Sequence, residues 1–378
     1  MSSIQAVTAS AKDWLDALAR LAPVMAGRKP VPILYLAHVD PSAGMLSAFN
    51  YEVSAVTRIA ESEGVGAPFL IPYQWLLAAI RTTSGRSKTA SVTVSTDGLR
   101  KVSLSARGYE LHAETDDVSK YPDFPLFQTE VSRTVAAGDL RAALRRVSTA
   151  ASTDESLPIL NTVRVELISA GLDFLATDRY RLAQDCVDGE GEGEGSFQLK
   201  LKIAKALDRF LVGEPVVIGL ADKWVSIVTD NVTFRVMTMD GDYPNLRPLF
   251  PTEVTAQVEI DRAVLLQSAN VAKAMSERNL PCYIRMFDGG AEVTFADGIF
   301  GPSRAPIAFG EVVAGAKDEV NFAMNPGLFV DALSQISTDK VRISYTTQVK
   351  PFVFSPEGME ATAPRIVKHL IMPVRMPR

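Results

Sequence analysis

The sequence predicts an α+β chain built from three copies of one domain design. Helix-like stretches recur at matched positions, and most of the text between them alternates apolar and polar residues with period two. Residues 13–21 recur as 139–147 and again as 261–269. A second kind, residues 72–81, recurs as 200–210 and as 325–336, with offsets of about 120–130 residues throughout. Self-similarity of this kind outranks any local motif, because it defines the unit that folds. Two helices per copy are too few to cover large sheets on both faces. Strands packed on strands, with helices along one edge of the assembly, is the economical arrangement. The order helix, strands, helix, strands within each copy makes six similar half-copies per chain.

Taken in order, copy one spans residues 1–127 and closes on Tyr121-Pro122-Asp123-Phe124-Pro125. Copy two spans 128–250 and closes on Tyr243-Pro244-Asn245-Leu246, and copy three spans 251–378. The proline segments read as linkers, since proline removes a ladder donor and restricts its neighbour. Residues 92–95, 102–105, 162–167 and 341–345 alternate as antiparallel strands with one wet face do. Turn signals separate such runs at Asp97-Gly98, Asp288-Gly289-Gly290 and Asp297-Gly298. Residues 188–195 alternate glycine with acidic residues, which predicts a mobile solvent loop. A phosphate-cradling loop is excluded there, because no Gly-Lys-Ser or Gly-Lys-Thr follows.

Composition is that of a soluble globular protein, 47% hydrophobic and 22% charged. No stretch approaches the roughly 18–20 apolar residues that span a bilayer. Residues 1–11 carry no basic region followed by an apolar run, so a cytoplasmic protein is expected. Cys186 and Cys282 lie in strand-like text of different copies and read as small hydrophobes in a reducing compartment. His38, His112 and His369 have no metal-ligand spacing around them, and no nucleophile elbow occurs. Asp178 and Asp242 could be imagined as a carboxylate pair, but read more naturally as turn and cap residues. No metal, no cofactor and no catalytic residue is expected. Binding or scaffolding is the role this leaves.

The net charge of -5 argues against a protein coated in positive charge. Its distribution matters more than its sum. Arg141, Arg145 and Arg146 stand outside the apolar face of the helix at 139–147. Lys202, Lys205 and Arg209, spaced i, i+3, i+7, share one face of the helix at 200–210. Cations concentrated on matched helices suggest one surface turned to a polyanion, through phosphate contacts without base readout. Nothing is arranged for major-groove edges or for stacking on single strands.

Two further segments stand out. They are Leu175-Ala176-Thr177-Asp178-Arg179-Tyr180-Arg181-Leu182-Ala183 and the terminal His369-Leu370-Ile371-Met372-Pro373-Val374-Arg375-Met376. With Gly27-Arg28, Gly241-Asp242-Tyr243-Pro244 and the threefold repeat, the chain resembles the bacterial DNA polymerase III beta subunit family along its whole length. That resemblance implies repeated sliding-clamp domains, with antiparallel sheets outside and helices lining a ring. It implies a head-to-tail homodimer that encircles double-stranded DNA of any sequence. The implied partners are a DNA polymerase catalytic subunit, a clamp loader and other proteins carrying clamp-binding motifs, in the cytoplasm at the nucleoid. Carried over residue by residue, the peptide pocket comprises Leu160, Thr177, Arg179, Tyr180, Arg181, Leu182, Pro244, Pro248, Leu249, Leu370, Ile371, Met372, Pro373, Val374, Arg375 and Met376. A mostly apolar cleft with a few polar groups suits a short linear peptide. Arg28 and Lys202 fall where the family has basic DNA contacts. The chain departs from the family at Arg179-Tyr180, where Gly-His is usual, and at Pro248, where arginine is common. Two other readings stay open: a clamp-like peptide-binding regulator that does not encircle DNA, and a carboxylate enzyme using Asp178 and Asp242.

Overall fold

The computed structural model describes residues 5–98, 100–124, 128–211, 215–276, 280–296, 302–315 and 319–375. The helices recur as the repeat requires: α1 (Ala11–Met25) and α2 (Tyr73–Ser84), α3 (Ala137–Ser148) and α4 (Leu201–Leu207), α5 (Arg262–Met275) and α6 (Pro326–Ser334). Local chemistry starts them. The Ser10 hydroxyl accepts the Asp13 N–H at 3.1 Å, and Asp261 accepts that of Val264 at 2.9 Å. Asn325 accepts those of Gly327 and Leu328. Each cap satisfies donors that the first helical turn leaves without partners. Helix α1 then buries Trp14, Leu18, Leu21 and Val24, a stripe at helical spacing.

Helix α4 is shorter than the expected 200–210. It ends at Leu207, and Arg209 lies beyond it in a turn, so Arg209 does not share the helix face of Lys202 and Lys205. Phe210 explains the departure. Its ring packs against Phe234, 5.8 Å between centroids, and draws the chain off the helical path.

The chain forms two compact units. One holds Met1–Gly138, Glu190–Gly193 and Arg209–Thr238; the other holds Asp139–Gly189, Glu194–Asp208 and Met239–Arg378. The division falls inside copy two. In the first unit, one antiparallel sheet runs Glu63–Val65, Gln5–Ser10, Ser91–Thr96, Lys101–Ala106, Tyr109–Glu114. A second runs Val131–Val135, Val216–Ala221, Trp224–Val228, Val232–Met237, Val53–Arg58, Met45–Phe49, Leu36–Asp40, Phe69–Pro72. Here Val232 pairs with Thr57 and Val236 with Val53, so strands of copies one and two share a sheet.

The second unit repeats the device. Its main sheet runs Gly195–Lys200, Thr162–Ile168, Gly171–Thr177, Arg181–Glu190, Lys368–Ile371, Phe352–Pro356, Lys340–Tyr345, Ala256–Asp261, Ala308–Ala314. The junction of copies two and three is the pairing of Arg181 with Ile371 and Leu182 with Leu370. A smaller sheet joins Val320–Met324, Cys282–Phe287, Gly290–Ala296 and Pro302–Arg304.

One expectation changes. Half of residues 188–195 is strand, and 191–194 form the connection between the two strands. The buried Arg133 donates to the carbonyls of Glu192 at 3.0 Å and Gly193 at 2.6 Å, and Ser132 N–H also reaches Glu192. Composition speaks only of side chains, and these cannot pack. The backbone acceptors hold the segment instead. The proline linkers are likewise anchored, because Tyr121 and Tyr243 are buried. The Asp297-Gly298 signal lies outside the described residues.

Candidate functional site

The site at the junction of copies two and three begins with a turn. Residues 178–180 join Gly171–Thr177 to Arg181–Glu190. Asp178 Oδ1 accepts the N–H groups of Tyr180 at 3.0 Å and Arg181 at 3.1 Å. Asp178 is therefore a turn residue. Thr177 Oγ1 accepts the Arg179 N–H at 3.1 Å and donates to the Arg181 carbonyl. Arg179 takes φ +81°, the left-handed region. The result places the Tyr180 ring in solvent, 63% exposed.

The tail completes this edge. Lys368–Ile371 is held on both sides, by Arg181–Glu190 and by Phe352–Pro356. It is an interior strand rather than an edge. Beyond it, Met372 N–H donates to the Tyr180 carbonyl at 3.0 Å, and Val374 N–H to that of Ala323 at 2.7 Å. Met372, bonded to the turn, and Val374, bonded to Ala323, both expose apolar side chains.

A buried cluster supports both: Leu175, Leu182, Tyr243, Leu246, Phe250 and Leu370, with Ile159 packed against it. Gly241 sits at φ +129°, and an added Cβ would come within 2.7 Å of Ile159 Cδ1. That close approach lets the chain turn so that Tyr243 enters the cluster while Pro244 stays outside. Burial pushes the Tyr243 phenol up. The short turn Arg247–Leu249 is fixed by Arg247, which pairs with Glu166 and, at 3.0 Å, with the buried Asp173. Arg365 holds the other oxygen of Asp173 at 3.0 Å. Pro248 and Leu249 are thereby presented to solvent.

The structure thus brings together Tyr180, Arg181 and Leu182 with Leu370, Ile371 and Met372 by direct pairing, and Thr177 and Arg179 belong to the same turn. Pro244, Pro248 and Leu249 are exposed neighbours of the cluster members Tyr243, Leu246 and Phe250, and Leu160 follows Ile159 at the cluster's edge. Pro373, Val374 and Arg375 continue the tail, and Met376 lies outside the described residues. Sequence reasoning did not single out Asp331. Its carboxylate, on α6, receives Arg181 Nη1 at 2.5 Å, while Arg181 Nε donates to Asp178 at 2.9 Å. No sequence signal joins residues so far apart.

The basic residues divide by environment. Arg141 on α3 and Lys202 and Lys205 on α4 belong to the same unit, with both lysines exposed. Arg145 is exposed but pairs with Asp208 at 3.0 Å. Arg146 Nε pairs with the buried Asp185, whose pKa burial raises. That arginine is committed to the fold. Arg28 and Arg209 are exposed in the other unit.

Residues 134–245 match the family model for the DNA polymerase III beta subunit central domain, and residues 247–375 that for its C-terminal domain. The chain is 30% identical over 379 residues to the beta sliding clamp of Streptomyces coelicolor, covering 96% of each. It is 30% identical over 291 residues to that of Micrococcus luteus, covering 75% of this chain and 91% of that protein. Among solved structures, the DNA polymerase sliding clamp from Bacillus subtilis superposes with a TM-score of 0.88 at 20% identity, covering 99% of this chain and all of the other.

Proposed function

We propose, from the premise that this chain belongs to the DNA polymerase III beta subunit family and acts as a DNA sliding clamp, a division of labour between its two groups of candidate residues. Arg141, Lys202 and Lys205, with Arg145, Arg28 and Arg209, meet duplex DNA at its phosphates and read no sequence. Partner peptides, from a polymerase catalytic subunit, a clamp loader or other motif-bearing proteins, dock between the Tyr180 turn and the tail after Ile371. The chain does no chemistry of its own; it tethers partners that do. Its repeating domains are residues 1–127, 128–250 and 251–378, and it works at the nucleoid.

The observation that carries the peptide reading is the pairing of Met372 N–H with the Tyr180 carbonyl. It holds the apolar side chains of the tail beside the exposed Tyr180 ring over a rigid floor, and a rigid floor lowers the ordering cost of binding. Ring closure by a second copy is supported by two exposed strand edges. Tyr109–Glu114 ends one sheet with Tyr109 in solvent, and Ala308–Ala314 carries Phe309, 74% exposed. Open edges of this kind call for a partner. Sedimentation should give twice the 40.9 kDa chain mass. The deciding experiment loads the chain onto nicked circular plasmid with a loader complex and then linearises the DNA. Retention on circles and release on linearisation is expected. Binding that survives linearisation, or no retention at all, would favour the regulator that does not encircle DNA.

A further inference from the structure

Arg181 has a second face. It borders a pocket of about 390 Å³ where α3, α4 and α6 meet. We propose that this pocket binds a small organic anion, a carboxylate or phosphate carried on an apolar body, and that Arg181 couples it to the peptide cleft. The coupling, but not the pocket, rests on the peptide reading above.

Size comes first. The volume lies in the range that small-molecule sites occupy. A bare inorganic ion would leave most of it empty. Charge comes second. Arg145, Arg181 and Lys205 line the pocket against the carboxylates of Asp208 and Asp331. Asp208 is taken by Arg145 at 3.0 Å, and Asp331 by Arg181. Lys205 makes no ion pair with any described residue, so it is the cation of the lining that no carboxylate holds.

A third observation is independent of charge. Ser148 lines the pocket, is 5% exposed, and its Oγ has no hydrogen-bond partner among the described residues. Buried hydroxyls almost always find a partner, and a turn about χ1 would bring this one to a ligand oxygen in the pocket. The floor is aliphatic, formed by Leu144, Ala151 and Ala204. A phosphate of encircled DNA would meet exposed cations and has no use for such a floor. An anion with an apolar portion uses all of these features at once.

The link to the cleft is geometric. Arg181 Nη1 faces Asp331, while its Nε holds Asp178, which in turn receives the N–H of Tyr180. An anion competing with Asp331 for this guanidinium alters the anchor of the Tyr180 turn. Coupling of this kind is reciprocal: peptide must change anion affinity by the same factor.

The test titrates the full-length chain calorimetrically with 4-phenylbutyrate and, separately, with inorganic phosphate. Phenylbutyrate is expected to bind at least tenfold more tightly than phosphate. Ser148→Ala should weaken phenylbutyrate about tenfold and leave the affinity of a polymerase-type peptide, measured without the probe, unchanged. Saturating phenylbutyrate should shift peptide affinity by a finite factor in the parent, with the same factor found for the probe under saturating peptide. No heat with phenylbutyrate, or equal affinity in Ser148→Ala, overturns the site. Probe affinity that keeps falling in proportion to added peptide places the probe in the cleft and overturns it too. A probe that binds without moving peptide affinity overturns the coupling. A parent that binds the probe but no peptide would count against the cleft reading and leave the pocket standing.

Discussion

Arg179 occupies backbone space that glycine enters freely, at φ +81°. A side chain there costs roughly 1–2 kcal/mol, part of which glycine returns as chain entropy in the unfolded state. Arg179→Gly should therefore stabilise the chain by about 0.5–1 kcal/mol, read as a higher urea midpoint at unchanged slope. A lower midpoint would mean that the guanidinium makes contacts worth more than the strain. His369 gives a pH prediction. Burial, then the charges of Arg181 and Arg146, lower its pKa from 6.5 to about 3. Between those values the unfolded chain binds a proton that the folded chain refuses. The contribution is full above about pH 6.5 and falls away toward pH 3, by at most roughly 5 kcal/mol. Denaturation series from pH 7 to 4 should show a shallower loss in His369→Phe than in the parent. Equal slopes would assign the acid sensitivity to other groups.

At the scale of elements, the tail divides into two parts with different duties. Lys368–Ile371 is paired on both sides and belongs to the sheet. Residues 372–375 are attached through two backbone hydrogen bonds, from Met372 and Val374. Deleting residues 372–378 should leave the sheet, the fold and the sedimentation coefficient unchanged while peptide affinity falls at least tenfold, as titration with a polymerase-tail peptide would report. Loss of the fold would make the tail structural. Unchanged affinity would move the peptide site elsewhere. The helices divide similarly. On α3, Arg146 neutralises the buried Asp185, whereas Arg141 is bound to no carboxylate among the described residues.

For the whole molecule, the expectation is loose, salt-sensitive attachment to DNA. Removing one phosphate-neutralising cation should flatten the dependence of log affinity on log salt by about 0.9. Replacing Arg141, Lys202 and Lys205 together by alanine should reduce the slope by about 3, alike for unrelated duplexes. A variant that discriminated among sequences would show that these groups touch bases. No helix among the described residues is long and apolar enough to cross a membrane.

The sequence by itself determined the repeat, the two helices in each copy and the period-two strands, because periodicity and capping chemistry are local properties. Ser10, Asp261 and Asn325 mark helix starts within three residues of the donors they satisfy. The peptide-cleft residues were legible only through family resemblance, since nothing in Leu182 or Leu370 alone announces that they pair. Tertiary structure alone decided that copies share sheets across their boundaries, that Arg133 ties down the glycine-rich loop, and that Arg146 is spent on Asp185. It also decided that Asp331 reaches Arg181, 150 residues earlier in the chain. Such links depend on where the backbone returns. That is set by the summed burial of the two cores rather than by any short stretch of residues.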